Sequence, residues 1–249
     1  MNNLLIINFL SNMNVISLEN INYYENKYPF YYYNIIILLH ITFYDTLLKI
    51  FFGNKGRWFQ LHAYINLIVA KNIFNDVLNI YIDPSKGFKL LDNHYNCYYI
   101  LGLHIYHLLT FNNLTFIDYF HHILFVGLGV LPVIFYINYN QIFLGYIACN
   151  GIPGIIEYGT LALYKNNKIS IYTQKCVSSL LYIYLRLPLC IIGICYNFIG
   201  YNNGYIKDNL YLSLYINILL YFNGTFFTQL TLQSFYKIKY FNNNITKIN

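Results

Sequence analysis

The side chains best suited to chemistry lie in one short stretch, DYFHH at 118–122. On a helix, Asp118 stands three and four residues before His121 and His122, which brings the carboxylate and both imidazoles near one face. A carboxylate can orient a histidine and raise its basicity. We therefore take these three residues as the leading functional candidates.

A second pair of histidines precedes this stretch. The motif HIYH puts His104 and His107 one turn apart at the end of a predicted helix. The short connection NNLTF then folds that end back beside Asp118. We expect His104, His107, His121 and His122 to share one pocket.

Two more ionisable residues are predicted at a similar depth. His62, in RWFQLHAYIN, begins the second predicted helix, and Glu157, in NGIPGIIEYG, lies in the fifth. An Asp, Lys or Arg inside a membrane helix costs at least about 2.5 kcal/mol, and an ionisable residue there indicates function by default. The alternative is that these groups only join helices through contacts of about 0.6 kcal/mol each.

Other ionisable residues of the apolar segments are expected to be structural, because each can extend to the interface or pair locally. They are His40, Asp45, Lys71, Asp76 and Arg186.

Metal binding is not predicted. Membrane di-iron enzymes use about eight histidines in HxxxH and HxxHH boxes, whereas this chain has seven histidines and no HxxHH box. Zinc held by two or three of them stays an alternative. We assign no metal and no cofactor.

The elements that position these residues are membrane helices. Hydrophobic residues make up 57% of the 249 residues and charged residues only 10%, which a water-soluble surface does not allow. A span needs roughly 20 mostly apolar residues. About seven segments qualify, with Pro132, Pro153 and Pro188 expected to kink three of them. The segments are 30–48, 61–82, 96–112, 116–137, 141–164, 177–199 and 209–231.

The distribution of Lys and Arg predicts the orientation, because cytoplasmic loops are richer in positive charge. One set of alternate connections holds nine Lys and Arg residues and the other holds four, which predicts a cytoplasmic C-terminus. The net charge of +6 is scattered rather than gathered in a basic stripe, so no nucleic-acid partner is predicted. The nine are Lys49, Lys55, Arg57, Lys165, Lys168, Lys175, Lys237, Lys239 and Lys247; the four are Lys27, Lys86, Lys89 and Lys207.

Three motifs together resemble the TLC domain of the TRAM, Lag1 and CLN8 proteins. They are Arg57-Trp58 followed by His62, then YHLLTFNNLTFIDYFHHILFV, then NGIPGIIEYGTLAL. The resemblance covers about residues 30–231 and implies an all-α membrane bundle of about seven spans. It divides the chain into an N-terminal tail at 1–29, the TLC-like domain and a cytoplasmic tail at 232–249.

The resemblance also implies a chemistry. Its best-known enzymes, the ceramide synthases, transfer an acyl group from acyl-CoA to a sphingoid amine. His121 and His122 would then be the general base and its partner, oriented by Asp118. His62, His104, His107 and Glu157 would help bind the substrate.

The match to the ceramide synthases is not close. Where they carry a His-Asp pair, this chain reads Ala148, Cys149 and Asn150. We therefore expect a protein of an internal membrane, the endoplasmic reticulum, that binds an acyl lipid or acyl-CoA, with acyl transfer as the expected reaction if it is an enzyme. The alternatives are a non-catalytic lipid sensor or carrier, and a transporter of protons or small solutes.

Overall fold

The computed structural model of the protein describes residues 30–91, 94–111, 114–207 and 209–245. The predicted N-terminal tail at 1–29 lies outside these residues. The described chain is a helical bundle with one short 3₁₀ turn at Pro84–Phe88. Its helices are α1 (Phe30–Phe52), α2 (Arg57–Ile82), α3 (Tyr95–Thr110), α4 (Phe116–Tyr136), α5 (Ile142–Cys149), α6 (Ile152–Lys165), α7 (Ile171–Asn202) and α8 (Leu210–Ile245).

The fifth predicted segment is divided into α5 and α6. The backbone N–H groups of Asn150 and Gly151 both bond to the carbonyl of Tyr146, which ends α5. A Cβ at Gly151 would lie 2.7 Å from the carbonyl oxygen of Ile147, so the turn requires glycine. Pro153 then fits the first turn of α6, where no N–H is needed. The expected kink at this proline is thus a break just before it.

The other two prolines follow π-helical stretches. In α4 the stretch is His122–Val130, shortly before Pro132, and in α7 it is Tyr182–Arg186, shortly before Pro188. A proline removes one helical hydrogen bond and its ring crowds the carbonyl four residues earlier. A wider π turn relieves that crowding.

One end of the bundle gathers the loops that are rich in Lys and Arg, and we call it the basic end. The side-chain amide of Asn166, in the α6–α7 loop, donates to the backbone oxygen of Lys55 in the α1–α2 loop at 3.1 Å. The guanidinium carbon of Arg57 lies 4.9 Å from the ring centre of Phe111, at the end of α3. The α1–α2, α3–α4 and α6–α7 connections therefore lie together.

The opposite end holds the remaining described connections. The N–H of Asn140 donates to the oxygen of Lys89 at 2.9 Å, and the N–H of Lys207 donates to the hydroxyl of Tyr139 at 3.2 Å. The helices thus run alternately between two ends, as short loops require.

Helix α2 lies at the centre and packs on α1, α3, α5 and α6. Its inner face is completely buried at Leu61, Ile65, Val69 and Ile73. Because neighbouring helices cover it, α2 tolerates a more polar composition than a helix surrounded by lipid.

Among the described residues, four helical segments are long and apolar enough to cross a membrane. They support an integral membrane protein. Helix α3 has only 16 residues, and α5 and α6 have eight and 14, so these are too short individually. Seven spans thus stay a proposal. The four segments are Tyr32–Phe52, Phe116–Tyr136, Ile171–Asn202 and Leu210–Tyr240.

The last helix is longer than expected. The predicted segment ended at 231, whereas α8 continues to Ile245. Most of the region predicted as a separate C-terminal tail is therefore a continuation of the helix.

Candidate functional site

A cavity of about 170 Å³ lies inside the bundle. Its lining comes from every helix except α1, with most of the residues contributed by α4, α5, α7 and α8. One end is polar, and we call it the histidine end. It is formed by His62, His104, His121, Tyr158 and Arg186.

From the histidine end the cavity continues along an apolar face of α4. That face includes Val126, Gly129 and Val133, and Leu219 and Leu220 of α8 lie across from it. Val133 lies twelve residues after His121, which corresponds to roughly 15–18 Å of helix. This is about half of the 30 Å hydrocarbon core, or the depth of one leaflet.

Glycines keep the middle of the cavity open. A Cβ built on Gly129 or Gly145 would approach α8 no closer than 3.7 Å, which is ordinary van der Waals contact. The space beside these residues is therefore room that a larger side chain would fill.

The far end of the cavity is again polar. The side-chain amide of Asn197 donates to the Asn217 oxygen at 2.9 Å and to the Ser213 hydroxyl at 2.8 Å. Gln141 also lines this end. The cavity is thus an apolar passage between two polar groups of residues.

The histidines form a ring cluster beside the basic end. Nδ1 of His107 lies 3.0 Å from Nε2 of His122. The Trp58 ring stacks on His107 with centres 3.4 Å apart, and it meets His62 edge to face at 3.9 Å. His62 stacks in turn on Tyr158, with centres 4.1 Å apart. The aromatic stacking fixes the ring orientations.

The structure brings all five site histidines together, but they divide into two groups. His62, His104 and His121 line the cavity, whereas His107 and His122 bond to each other behind it. Nδ1 is buried without a hydrogen-bond partner among the described residues in His104, His121 and His122, but only the first two rings line the cavity. The adjacent His121 and His122 therefore occupy different environments.

Asp118 bonds to a residue other than the predicted one. Its Oδ2 accepts from the N–H and the hydroxyl of Thr115, both at 2.7 Å, and its own N–H donates to the Thr115 hydroxyl. This is a capping box, which satisfies N–H groups that the first turn of α4 leaves free. No hydrogen bond joins Asp118 to either histidine in the described part of the chain.

Glu157 lies on α6 and faces α7 rather than the cavity. Its carboxyl group is directed toward Ser178 and Gln174 of α7, and its Oε2 is buried without a hydrogen-bond partner among the described residues. The next residue, Tyr158, lines the cavity in its place. Because adjacent residues of a helix point in different directions, Tyr158 faces the cavity while Glu157 lies between α6 and α7.

Sequence reasoning assigned Arg186 to a structural role, yet it lines the cavity and is only 7% exposed. Its Nη2 donates to Oδ1 of Asn223 at 2.6 Å, and its Nη1 donates to the Tyr182 hydroxyl at 3.3 Å. A signal was available: Arg186 lies nine residues after the start of the predicted segment at 177–199 and 13 residues before its end. At about 14 Å and about 20 Å from these ends, it is too deep to reach an interface.

The cluster is not arranged as a metal centre. Over the described ranges, no three His, Cys, Asp or Glu side chains converge in a way that would hold an ion. The histidine end therefore offers ring nitrogens, a phenol and a guanidinium to a ligand.

No family model, no curated protein and no solved structure matches this chain. The residues of the cavity are thus the basis for inferring function.

Proposed function

We propose that this chain is an integral membrane protein that binds a single-chain acyl lipid in its internal cavity, with the polar head at the histidine end. The observation that carries the proposal is the form of the cavity. A polar group of residues opens directly onto an apolar passage about one leaflet long. An amphiphile has the same division between a head and a chain.

The volume limits how much of the ligand is enclosed. An apolar protein cavity of about 150 Å³ holds one benzene molecule. The 170 Å³ cavity thus encloses a polar head or a stretch of about six carbon atoms, and a longer chain extends beyond the enclosed part. Acyl-CoA would likewise place its nucleotide outside the cavity.

The cellular setting follows from the same proposal. The eight helices form seven spans, with α5 and α6 together forming one, in a TLC-like bundle whose basic end is on the cytoplasmic side. The protein then acts in lipid metabolism or lipid homeostasis in an internal membrane such as the endoplasmic reticulum. The grouping of the Lys-rich and Arg-rich loops at one end supports this orientation.

Filling the cavity tests the binding function. Gly129→Leu places a side chain in the passage from a position where a Cβ meets no close contact. Gly159→Leu is the matched control, because Gly159 has nothing within 4 Å of its Cβ position and does not line the cavity. Each protein is purified in detergent and its co-purified lipids are measured by mass spectrometry.

We expect the wild type and Gly159→Leu to carry the same acyl species and Gly129→Leu to lose most of it. A wild type that carries no acyl species would refute lipid binding and favour a path for protons or small solutes. Equal lipid in Gly129→Leu and the control would place the lipid elsewhere on the protein.

Acyl transfer is the second candidate, favoured by the buried Nδ1 of His121, which has no partner in the described residues and belongs to a ring lining the cavity. His121 would take a proton from an attacking amine or hydroxyl while the thioester of acyl-CoA breaks, and the proton would leave with the CoA thiol. In cells lacking the protein, His121→Ala would then fail to restore the acyl-lipid profile that Gly159→Leu restores. Full rescue by His121→Ala would refute acyl transfer, and lipid binding would be the only function still proposed.

A further inference from the structure

The cavity is lined by a buried arginine, and its charge limits which ligands can bind there. Arg186 is 7% exposed and lies near the middle of α7, beyond reach of either interface. A guanidinium cannot be deprotonated in a protein, so the charge is permanent. A permanent charge inside a membrane bundle requires a partner.

The described residues give Arg186 polar partners but no carboxylate in direct ion-pair contact. Arg186 donates to the amide oxygen of Asn223 and to the hydroxyl of Tyr182, both uncharged. The one ion pair among the described residues joins Arg57 to Asp45. Glu157 is close enough for its charge to act on Arg186, but no oxygen of its carboxyl group lies within 4 Å of a guanidinium nitrogen.

Two aromatic rings also hold the Arg186 guanidinium in place without using all of its N–H groups. The ring centres of Tyr182 and Phe227 lie 4.9 Å and 5.5 Å from its central carbon. Nε is buried without a hydrogen-bond partner, and each Nη has a second N–H. Aromatic contacts therefore fix the plane, and the second N–H of each Nη has no partner among the described residues.

We propose, resting on the lipid-binding function above, that the ligand is a single-chain carboxylate whose head pairs with Arg186 at the histidine end of the cavity. The planar N–H fork of arginine matches a carboxylate. The remaining donors and acceptors at this end are histidine rings, a phenol and amides, so the site offers one positive charge. A phosphate monoester carries nearly two negative charges, which a single guanidinium does not neutralise.

The test compares three ligands with the same sixteen-carbon chain: palmitate, hexadecanol and hexadecyl phosphate. Affinities for the delipidated protein are measured by native mass spectrometry at pH 8.5. A hydrogen-bonded charge pair in a buried site predicts that palmitate binds about tenfold or more tightly than hexadecanol. Arg186→Gln should reduce that ratio to about one while keeping hexadecanol binding, which shows an intact cavity.

Lys175→Gln is the matched control, since it removes a positive charge from the same helix at a residue that does not line the cavity. It should keep the wild-type ratio. If Arg186→Gln does not fold, the ratio of palmitate affinity to hexadecanol affinity in the wild type tests the proposal by itself.

The possible results separate the two proposals. Equal wild-type affinity for palmitate and hexadecanol would overturn the carboxylate inference and leave lipid binding standing. Tighter binding of hexadecyl phosphate than of palmitate would also overturn it, in favour of a phosphate head. Binding of none of the three would overturn lipid binding itself.

Discussion

Nδ1 of His107 lies 3.0 Å from Nε2 of His122, so a hydrogen bond links the end of α3 to the π-helical stretch of α4. Both side chains are buried. The contact joins two helices connected by a short loop beside the basic end.

This bond predicts different effects for the two adjacent histidines. His122→Ala leaves a buried nitrogen of His107 without its partner and should lower the free energy of unfolding by about 1–3 kcal/mol. His121→Ala removes a ring that lines the cavity and has no such bond among the described residues, so it should reduce ligand retention more than stability. Thermal unfolding in detergent, with mass spectrometry of retained lipid, measures both effects. A larger loss of stability for His121→Ala would contradict the assignment.

A second prediction concerns the ion pair at the basic end. Nε of Arg57 lies 3.3 Å from Oδ1 of Asp45, and the hydroxyl of Tyr106 donates to Oδ2 of Asp45 at 2.8 Å. Asp45→Asn leaves the mostly buried Arg57 uncompensated and should cost roughly 3 kcal/mol. Tyr106→Phe removes only a neutral donor and should cost about half as much.

The double variant Asp45→Asn with Arg57→Gln tests the coupling. Since both charges are then absent, it should be less destabilised than the sum of the two single variants by about 1 kcal/mol or more. Additive losses in thermal unfolding would show that the two side chains do not interact.

A third prediction concerns orientation. Lys168, in the α6–α7 loop, belongs to the basic end, and Lys207, before α8, to the opposite end. In sealed vesicles with the cytoplasmic face outward, a membrane-impermeant maleimide should label Lys168→Cys directly and Lys207→Cys only after detergent. The wild type gives the background from its own cysteines. The reverse pattern would invert the proposed topology.

Much of the helical arrangement could be predicted from apolar length. The segments at 30–48, 61–82 and 116–137 correspond to α1, α2 and α4. The gathering of the histidines also followed from helical spacing and a short loop. These features depend on local geometry, which a sequence records directly.

Side-chain partners were harder to predict. Thr115 and Asp118 have the T-x-x-D spacing of a capping box, which is an alternative to a role for the carboxylate beside His121. The position of the first helical turn decided between them. His121 and His122 are adjacent, and adjacent residues of a helix do not face each other, so only one of the two rings can face the cavity directly. Which one does so depends on how α4 packs in the bundle.

Arg186 illustrates a different difficulty. Its depth was evident from the length of the apolar segment, but its partner Asn223 comes from α8, which meets α7 only in the folded bundle. Tertiary contacts of this kind have no local signal.

The unexpected length of α8 has a mechanical consequence. The helix lines the cavity at Leu219, Leu220 and Asn223 and continues unbroken to Ile245, 22 residues beyond the last of these. That stretch is about 33 Å long, so a tilt of about 5° at the cavity wall would move the far end by about 3 Å. A small change of cavity width at α8 would therefore produce a larger displacement of the helix near the C-terminus.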